Sequence, residues 1–161
     1  MPRLSELSLR KNLLRSFPWR SLRNASHLLE ISLSNNRLTN VDITEDSAPR
    51  NLRKLSVASN NLQFITPFPN LPCLTHLVLF DNKLRDFPWE SLLNLPRLAD
   101  LILSSNSLAR VGPGGILNRL KHLEIVDLRG NNLTRLPEAS LRTDRSIQLR
   151  LAGNPIPTEL E

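Results

Sequence analysis

The stretch LTHLVLFDNKL, residues 74 to 84, sets Leu74, Leu77, Leu79 and Leu84 around a single amide, Asn82. In the first copy, at 4 to 14, Leu7 and Leu9 alternate with Ser8 and Arg10, the period-two pattern of a short strand, and the same spacing here turns Leu77 and Leu79 to one side and His76, Val78 and Phe80 to the other. A strand this short cannot bury its own apolar side, so the pattern has to recur. LSELSLRKNLL at 4 to 14, LLEISLSNNRL at 28 to 38 and LRKLSVASNNL at 52 to 62 precede it. LADLILSSNSL at 98 to 108, LEIVDLRGNNL at 123 to 133 and SIQLRLAGNPI at 146 to 156 follow. These seven copies share LxxLxLxxNxL, with Ser146 in place of the first Leu and Ile or Val at a few other apolar places. Their amides, Asn12, Asn36, Asn60, Asn82, Asn106, Asn131 and Asn154, are separated by 24, 24, 22, 24, 25 and 23 residues. Chance does not produce seven copies in phase, and a period of this length marks a coil of stacked units.

The coil follows from the residues. Each unit contributes one strand to a parallel sheet and borrows its neighbours to bury its apolar side. After the strand the chain must turn inward at the Asn. A side-chain amide holds two donors and an acceptor, so a buried Asn can satisfy loop backbone groups that no ladder reaches, and a column of structural amides is expected. On the return path Pro18, Pro88 and Pro137 follow the inward residues Phe17, Phe87 and Leu136 and preclude a second strand. Strands pack more closely than return turns, so the coil bends into a right-handed arc with its strands on the concave side. The doubled phrase LRSFPWRSLRN (14 to 24) and LRDFPWESLLN (84 to 94) belongs to this return path, three units apart. There Phe17 and Phe87 are expected in the outer layer of the core, with Trp19 and Trp89 left available for contact.

The pattern resembles the leucine-rich repeat family over essentially the whole chain, from Leu4 to Ile156. The return segments, in the form LxxLPxxxLxxLxxL, are similar to the 24-residue class found in Toll-like receptors and small proteoglycans. That resemblance implies an α/β solenoid, a right-handed horseshoe arc of about seven repeats with a parallel sheet inside and short helical or irregular turns outside. It also implies a non-enzymatic protein-binding function in a signalling, receptor or scaffold protein. Two units depart from the pattern. Residues 40 to 52, NVDITEDSAPRNL, have no apolar residue at the place of Leu22 and Leu92 and read as a loop. Residues 63 to 74, QFITPFPNLPCL, are two short and carry three prolines, and both should alter the local curvature.

Composition agrees with repetition, since 35 of the 161 residues are Leu. The expectation is a single domain over 1 to 161 with no recognisable capping units. Its bare first and last rungs suggest a fragment of a longer chain, or ends that meet a partner. No apolar run is long enough to span a bilayer, and MPRLSEL is not a secretory leader. Together with the single Cys73, this reads as cytoplasmic for the chain as written, whereas the repeat class points to the cell surface for its parent. Cys73 itself reads as a small buried or half-buried residue.

On the concave face the first two rungs, Glu6, Ser8, Arg10 and Glu30, Ser32, Ser34, are polar. Val78, Phe80 and Ile102 break that polarity, bordered by His76, Asp81, Asp100, Asp127, Arg129 and Arg150. Isolated exposed apolar residues are ordinary. An aromatic and aliphatic centre within a charged rim is nevertheless the composition of a protein-binding hot spot, and this group is the expected contact patch.

The net charge of +6 raises the question of phosphate partners. Along the strands and their flanks, Arg10, Lys11, Arg53, Lys54, Arg129 and Arg150 are balanced by Glu6, Glu30, Asp81, Asp100, Glu124 and Asp127. The excess therefore lies on outer turns and edges, at Arg15, Arg20, Arg23, Arg97, Arg119, Arg142 and Arg145, without interleaved aromatic residues, so nucleic acid is not the expected partner. His27, His76 and His122 occupy unrelated positions, and no nucleophile triad, phosphate loop or metal motif is present. No catalysis, cofactor or metal is expected; His76 and Asp100 on adjacent rungs read as a surface ion pair. Asn24-Ala25-Ser26 and Asn132-Leu133-Thr134 are sequons, relevant to a secreted chain. Two functional readings result: a binding module working through its concave face, or a structural spacer or assembly element acting through its bare ends and its convex face, with Trp19 and Trp89 on that face.

Overall fold

Each LxL pair becomes one rung of a sheet. A computed structural model describes residues 3–113, 115–136 and 147–157. Its strands are β1 (Glu6–Ser8), β2 (Glu30–Ser32), β3 (Asn40–Val41), β4 (Lys54–Ser56), β5 (Phe64–Ile65), β6 (His76–Val78), β7 (Asp100–Ile102), β8 (Ile125–Asp127) and β9 (Gln148–Arg150). Seven of them form one parallel sheet in the order β1-β2-β4-β6-β7-β8-β9. The central residue of each triplet faces the core in unbroken register, Leu7, Ile31, Leu55, Leu77, Leu101, Val126 and Leu149. Strands that succeed one another in space through a return path are joined by right-handed crossovers, and the result is the solenoid arc the periodicity predicts.

Tight corners follow the strands. In all seven units the residue before the signature Asn has positive φ, at Lys11, Asn35, Ser59, Asp81, Ser105, Gly130 and Gly153. Five of these are not glycine, and the left-handed conformation costs an L-residue roughly 1–2 kcal/mol. The corner then delivers the Asn side chain into the coil. Asn82 Nδ2 donates to the carbonyls of Val57, Leu79 and Phe80 at 3.0, 3.1 and 3.3 Å, while its Oδ1 accepts the Leu62 N–H at 2.9 Å. Asn36, Asn60, Asn106 and Asn131 repeat the arrangement and are buried like Asn82. The ends differ. Asn154 is half-buried and bonds Leu133 N–H, whereas Asn12 is exposed and bonds only the Leu9 and Arg10 carbonyls of its own corner. The amide column is thus a property of the rungs that have a neighbour on the N-terminal side.

The return path corrects one expectation. Trp19 and Trp89 are buried, 6% and 5% exposed, and offer no contact surface. Proline explains it: Pro18 (φ −78°, ψ 75°) and Pro88 (φ −77°, ψ 65°) sit at the centre of inverse γ-turns closed by Trp19 N–H to Phe17 O (2.9 Å) and Trp89 N–H to Phe87 O (2.8 Å). Such a turn folds the residue after Pro back against the residue before it. The indoles therefore meet the phenyl rings edge to face, at 4.7 Å for Phe17–Trp19 and 4.9 Å for Phe87–Trp89. Phe87 is buried as expected, and Phe17, in the first unit, only half so. Gly112 closes over the second indole so tightly that a Cβ there would lie 2.3 Å from Trp89 Cβ. Short 3₁₀ turns follow at Trp19–Leu22, Trp89–Asn94 and Leu117–Arg119. Pro137, Arg142, Arg145 and Ser146 lie outside the described residues.

The two irregular units are more ordered than a loop. Residues Glu45–Ser47 form a 3₁₀ turn in which Ser47 Oγ accepts the Thr44 N–H at 3.1 Å, and Ser47 is buried. Glu45 clamps the neighbouring unit by accepting the Asn70 N–H at 2.8 Å and Arg50 Nη2 at 2.9 Å. The Asn70 N–H first, and then Arg50, hold its carboxyl below the usual range. Between these units β3 and β5 pair in parallel, Asn40 with Phe64 and Val41 with Ile65, a second small sheet that the alternation did not suggest. Cys73 is half-buried, as its small size implied.

Candidate functional site

Rung register decides which outward residues meet. On β6 and β7, His76 lies beside Asp100 and Val78 beside Ile102; on β8 and β9, Asp127 lies beside Ile102 and Arg150 beside Asp127. The sequence-predicted residues thus form one continuous strip across four rungs. Phe80, just past the end of β6, is 40% exposed, while Val78 and Ile102 are half-buried between their neighbours. His76 Nε2 stands 3.2 Å from Asp100 Oδ2, and its Nδ1 is 2.8 Å from Thr75 Oγ1, so the imidazole is held at both nitrogens. Asp81 occupies the corner with φ 56° and is exposed there, at the edge of the strip rather than within it.

Asp127 departs from its expected place in an open rim: it is 2% exposed. Arg129 folds back over it, donating from Nε at 2.9 Å and Nη2 at 2.6 Å, with the Arg129 N–H at 3.2 Å and Arg150 Nη1 3.9 Å away. Burial pushes the Asp127 carboxyl up, but the Arg129 side chain and N–H, with the charge of Arg150, outweigh burial and hold it below the ordinary carboxylate range. What the surface presents here is cationic. Arg129 and Arg150 form its C-terminal end, and His76 and Asp100 form a polar border nearer the centre.

One part of the face was missed by reading rungs singly. Beside Phe80 the sheet carries a trough of about 360 Å³ whose floor is Ser34, Ser56 and Ala58 and whose far wall includes Val78 and Phe80. Ser34 and Ser56 bond each other at 2.8 Å, so the floor is flat and its hydroxyls are already partnered. The signal was present as small residues at consecutive outward positions, Ser8, Ser32, Ser34, Ser56 and Ala58, ending at a phenylalanine. Only the side-by-side register turns that series into a concavity with an aromatic wall.

Among the described residues no group of three or more His, Cys, Asp or Glu could hold a metal ion, and no helix is long and apolar enough to cross a membrane. The two sequon asparagines, Asn24 and Asn132, are both exposed.

A family model for the leucine rich repeat matches residues 50–108 and 96–156. The chain belongs to the leucine-rich repeat family. Among its leucine-rich repeat relatives, human Podocan-like protein 1 is 32% identical over 152 residues, covering 92% of this chain and 29% of that protein. Zebrafish (Danio rerio) Keratocan is 30% identical over 141 residues, with 86% and 40% covered. Human Oligodendrocyte-myelin glycoprotein is 32% identical over 149 residues, with 91% and 32% covered. This chain therefore spans well under half the length of these relatives. A solved leucine-rich repeat protein of Leptospira interrogans superposes with a TM-score of 0.63 at 24% identity, over 94% of this chain and 49% of its own, and supports the same fold.

Proposed function

We propose that this leucine-rich repeat arc is a non-enzymatic protein-binding module that holds its partner against the concave sheet, centred on Phe80, Val78 and Ile102. The observation that carries the reading is Phe80: a phenyl ring 40% exposed, standing as the wall of a trough whose floor is serine and alanine. A partner side chain seated in the trough would cover the ring, and full burial of such a side chain is worth roughly 1.5–3 kcal/mol. His76, Asp100, Arg129 and Arg150 border the apolar centre and would set orientation. Asp127 acts beneath them, fixing the Arg129 guanidinium rather than touching the partner. Asp81 would contact a partner only where it reaches over the corner.

Exposed sequons at Asn24 and Asn132, and a relative named as a glycoprotein, favour an extracellular setting over the cytoplasmic one. The spacer reading loses its convex-face contacts, because Trp19 and Trp89 are inside the core, and rests on the ends of the arc alone.

The test places a photo-activatable amino acid at position 80 and, as the reference, at the exposed convex position 20. Cross-linking of a discrete partner from position 80 and not from position 20 is the expected result. Equal yields at both, or loss of the position-80 cross-link to an excess of unlabelled chain carrying Phe80→Ser with Ile102→Ser, would sink the concave-face reading.

A further inference from the structure

The concave face is close to neutral, so the net charge of +6 must be displayed elsewhere, and the rungs reveal where. In each unit after the first the signature Asn accepts a backbone N–H from the unit before it, at Leu14, Leu38, Leu62, Leu84, Leu108 and Leu133. These bonds hold one leucine per unit inward, which turns the residues on either side of it to solvent. Backbone bonds stack the exit flank unit on unit: Arg37 N–H to Leu14 O, Asn61 to Leu38, Lys83 to Leu62, Ser107 to Leu84 and Asn132 to Leu108. Along this flank stand Arg15, Arg37, Lys83, Arg85, Arg110 and Arg135, all exposed. Residues 13–16, 37–40, 61–64, 83–86, 107–110 and 132–135 contain a single acid, Asp86, whose Oδ1 is engaged with the Phe87 N–H at 2.9 Å.

None of the six cations takes part in the ion pairs among the described residues, which use Arg50, His76, Arg129 and Arg150. In these segments they outnumber acids six to one, and they follow one another along the stack. Five rung spacings of about 4.8 Å separate Arg15 from Arg135, so the line is roughly 24 Å long; adjacent rungs lie within one Debye length of each other, and the widest gap, from Arg37 to Lys83 across the rung without a cation, is two spacings or about 10 Å. We infer that this exit flank is a binding surface for a linear sulfated polysaccharide lying across the rungs. A repeating polyanion matches a surface whose charge also repeats, and it needs no pocket, only spacing. A nucleic acid strand fits less well, because base stacking requires a series of aromatic platforms. Phe64, the sole aromatic residue of the flank, stands on the one rung without a cation. The surface is separate from the concave strip and could be occupied together with it.

Binding of fluorescent heparin oligosaccharide to the whole chain, titrated at several NaCl concentrations, tests the inference. Two variants remove equal charge: Arg37→Ser with Lys83→Ser, Arg85→Ser and Arg110→Ser on the flank, and Arg20→Ser with Arg23→Ser, Arg97→Ser and Arg119→Ser on the convex turns. All eight positions are exposed, so both variants should keep the wild-type circular dichroism spectrum and urea midpoint. The flank variant is expected to bind heparin at least tenfold more weakly and with a shallower dependence on log salt, and the convex variant within about twofold of wild type. Equal losses in both variants, absence of heparin binding by wild type at low salt, or tighter binding of single-stranded RNA than of heparin at the same salt would each overturn it.

Discussion

Asn82 and Asn12 carry the same signature position in different surroundings, and the difference sets what each is worth. Asn82 joins two units through four hydrogen bonds in a buried corner. Asn82→Ala strands buried carbonyls and an N–H, each costing about 1–3 kcal/mol, and should lower unfolding stability in urea by roughly 3 kcal/mol. Asn12 touches only its own exposed corner, so Asn12→Ala should change the same stability by less than about 0.5 kcal/mol. The corner residue just before the Asn has the opposite character. Ser59 and Ser105 hold φ of 53° and 54° against their own preference, so glycine at either relieves strain at the cost of greater unfolded-state freedom. The net gain for Ser59→Gly should be up to about 1 kcal/mol, read as a higher urea midpoint with an unchanged m-value.

Elements are held by contacts that short strands and turns cannot make alone. The return turn at Pro88 delivers Trp89 into the core, and Gly112 from the next unit seals it. Gly112→Ala would place a methyl group where Trp89 already stands, so the indole must move; a loss of about 1–3 kcal/mol and an altered tryptophan emission maximum are expected. On the last rungs the element is an ion cluster. Asp127 has its folded pKa lowered, so it contributes stability that is fully present above the unfolded value and is lost as pH falls through the folded one. Arg129→Ala removes the bidentate partner and leaves a buried carboxylate. Its stability should fall short of wild type at pH 7 and converge with wild type as the pH drops below the ordinary carboxylate range, which urea titrations at stepped pH would reveal. A deficit that stays constant with pH would mean Arg129 acts by packing alone.

At the scale of the whole molecule, the arc separates its surfaces by direction. The concave sheet faces inward with its apolar strip, the exit flank faces sideways with its cations, and the convex side is occupied by turns and proline. A partner bound on the sheet should lose roughly tenfold or more in affinity on Phe80→Ser, equivalent to about 1.4 kcal/mol or more, with the protein's urea midpoint unmoved because the ring is already solvent-exposed. Passage of the chain through a secretory pathway should add glycans at both sequons, since Asn24 and Asn132 are exposed; glycosidase treatment followed by mass spectrometry of Asn24→Gln and Asn132→Gln checks each separately.

The amide period and the LxL alternation were sufficient, without coordinates, to place seven rungs, their inward residues and the concave side. They sufficed because a solenoid is nearly one-dimensional: each unit meets only its neighbours, so local pattern and tertiary contact coincide. For the same reason His76, Val78, Asp100 and Ile102 could be put on adjacent rungs by counting. What counting could not supply was contact that depends on backbone curvature within a unit or on side chains crossing between rungs. The inverse γ-turn at each Phe-Pro-Trp reversed the fate of Trp19 and Trp89 from surface to core. The guanidinium of Arg129, reaching back two residues, buried Asp127 in a position that alternation assigns to solvent. The pairing of Asn40 with Phe64 and the serine floor beside Phe80 likewise exist only once the units are stacked. Periodicity determined which way each residue starts out from the backbone; tertiary structure decided what, on arrival, it finds there.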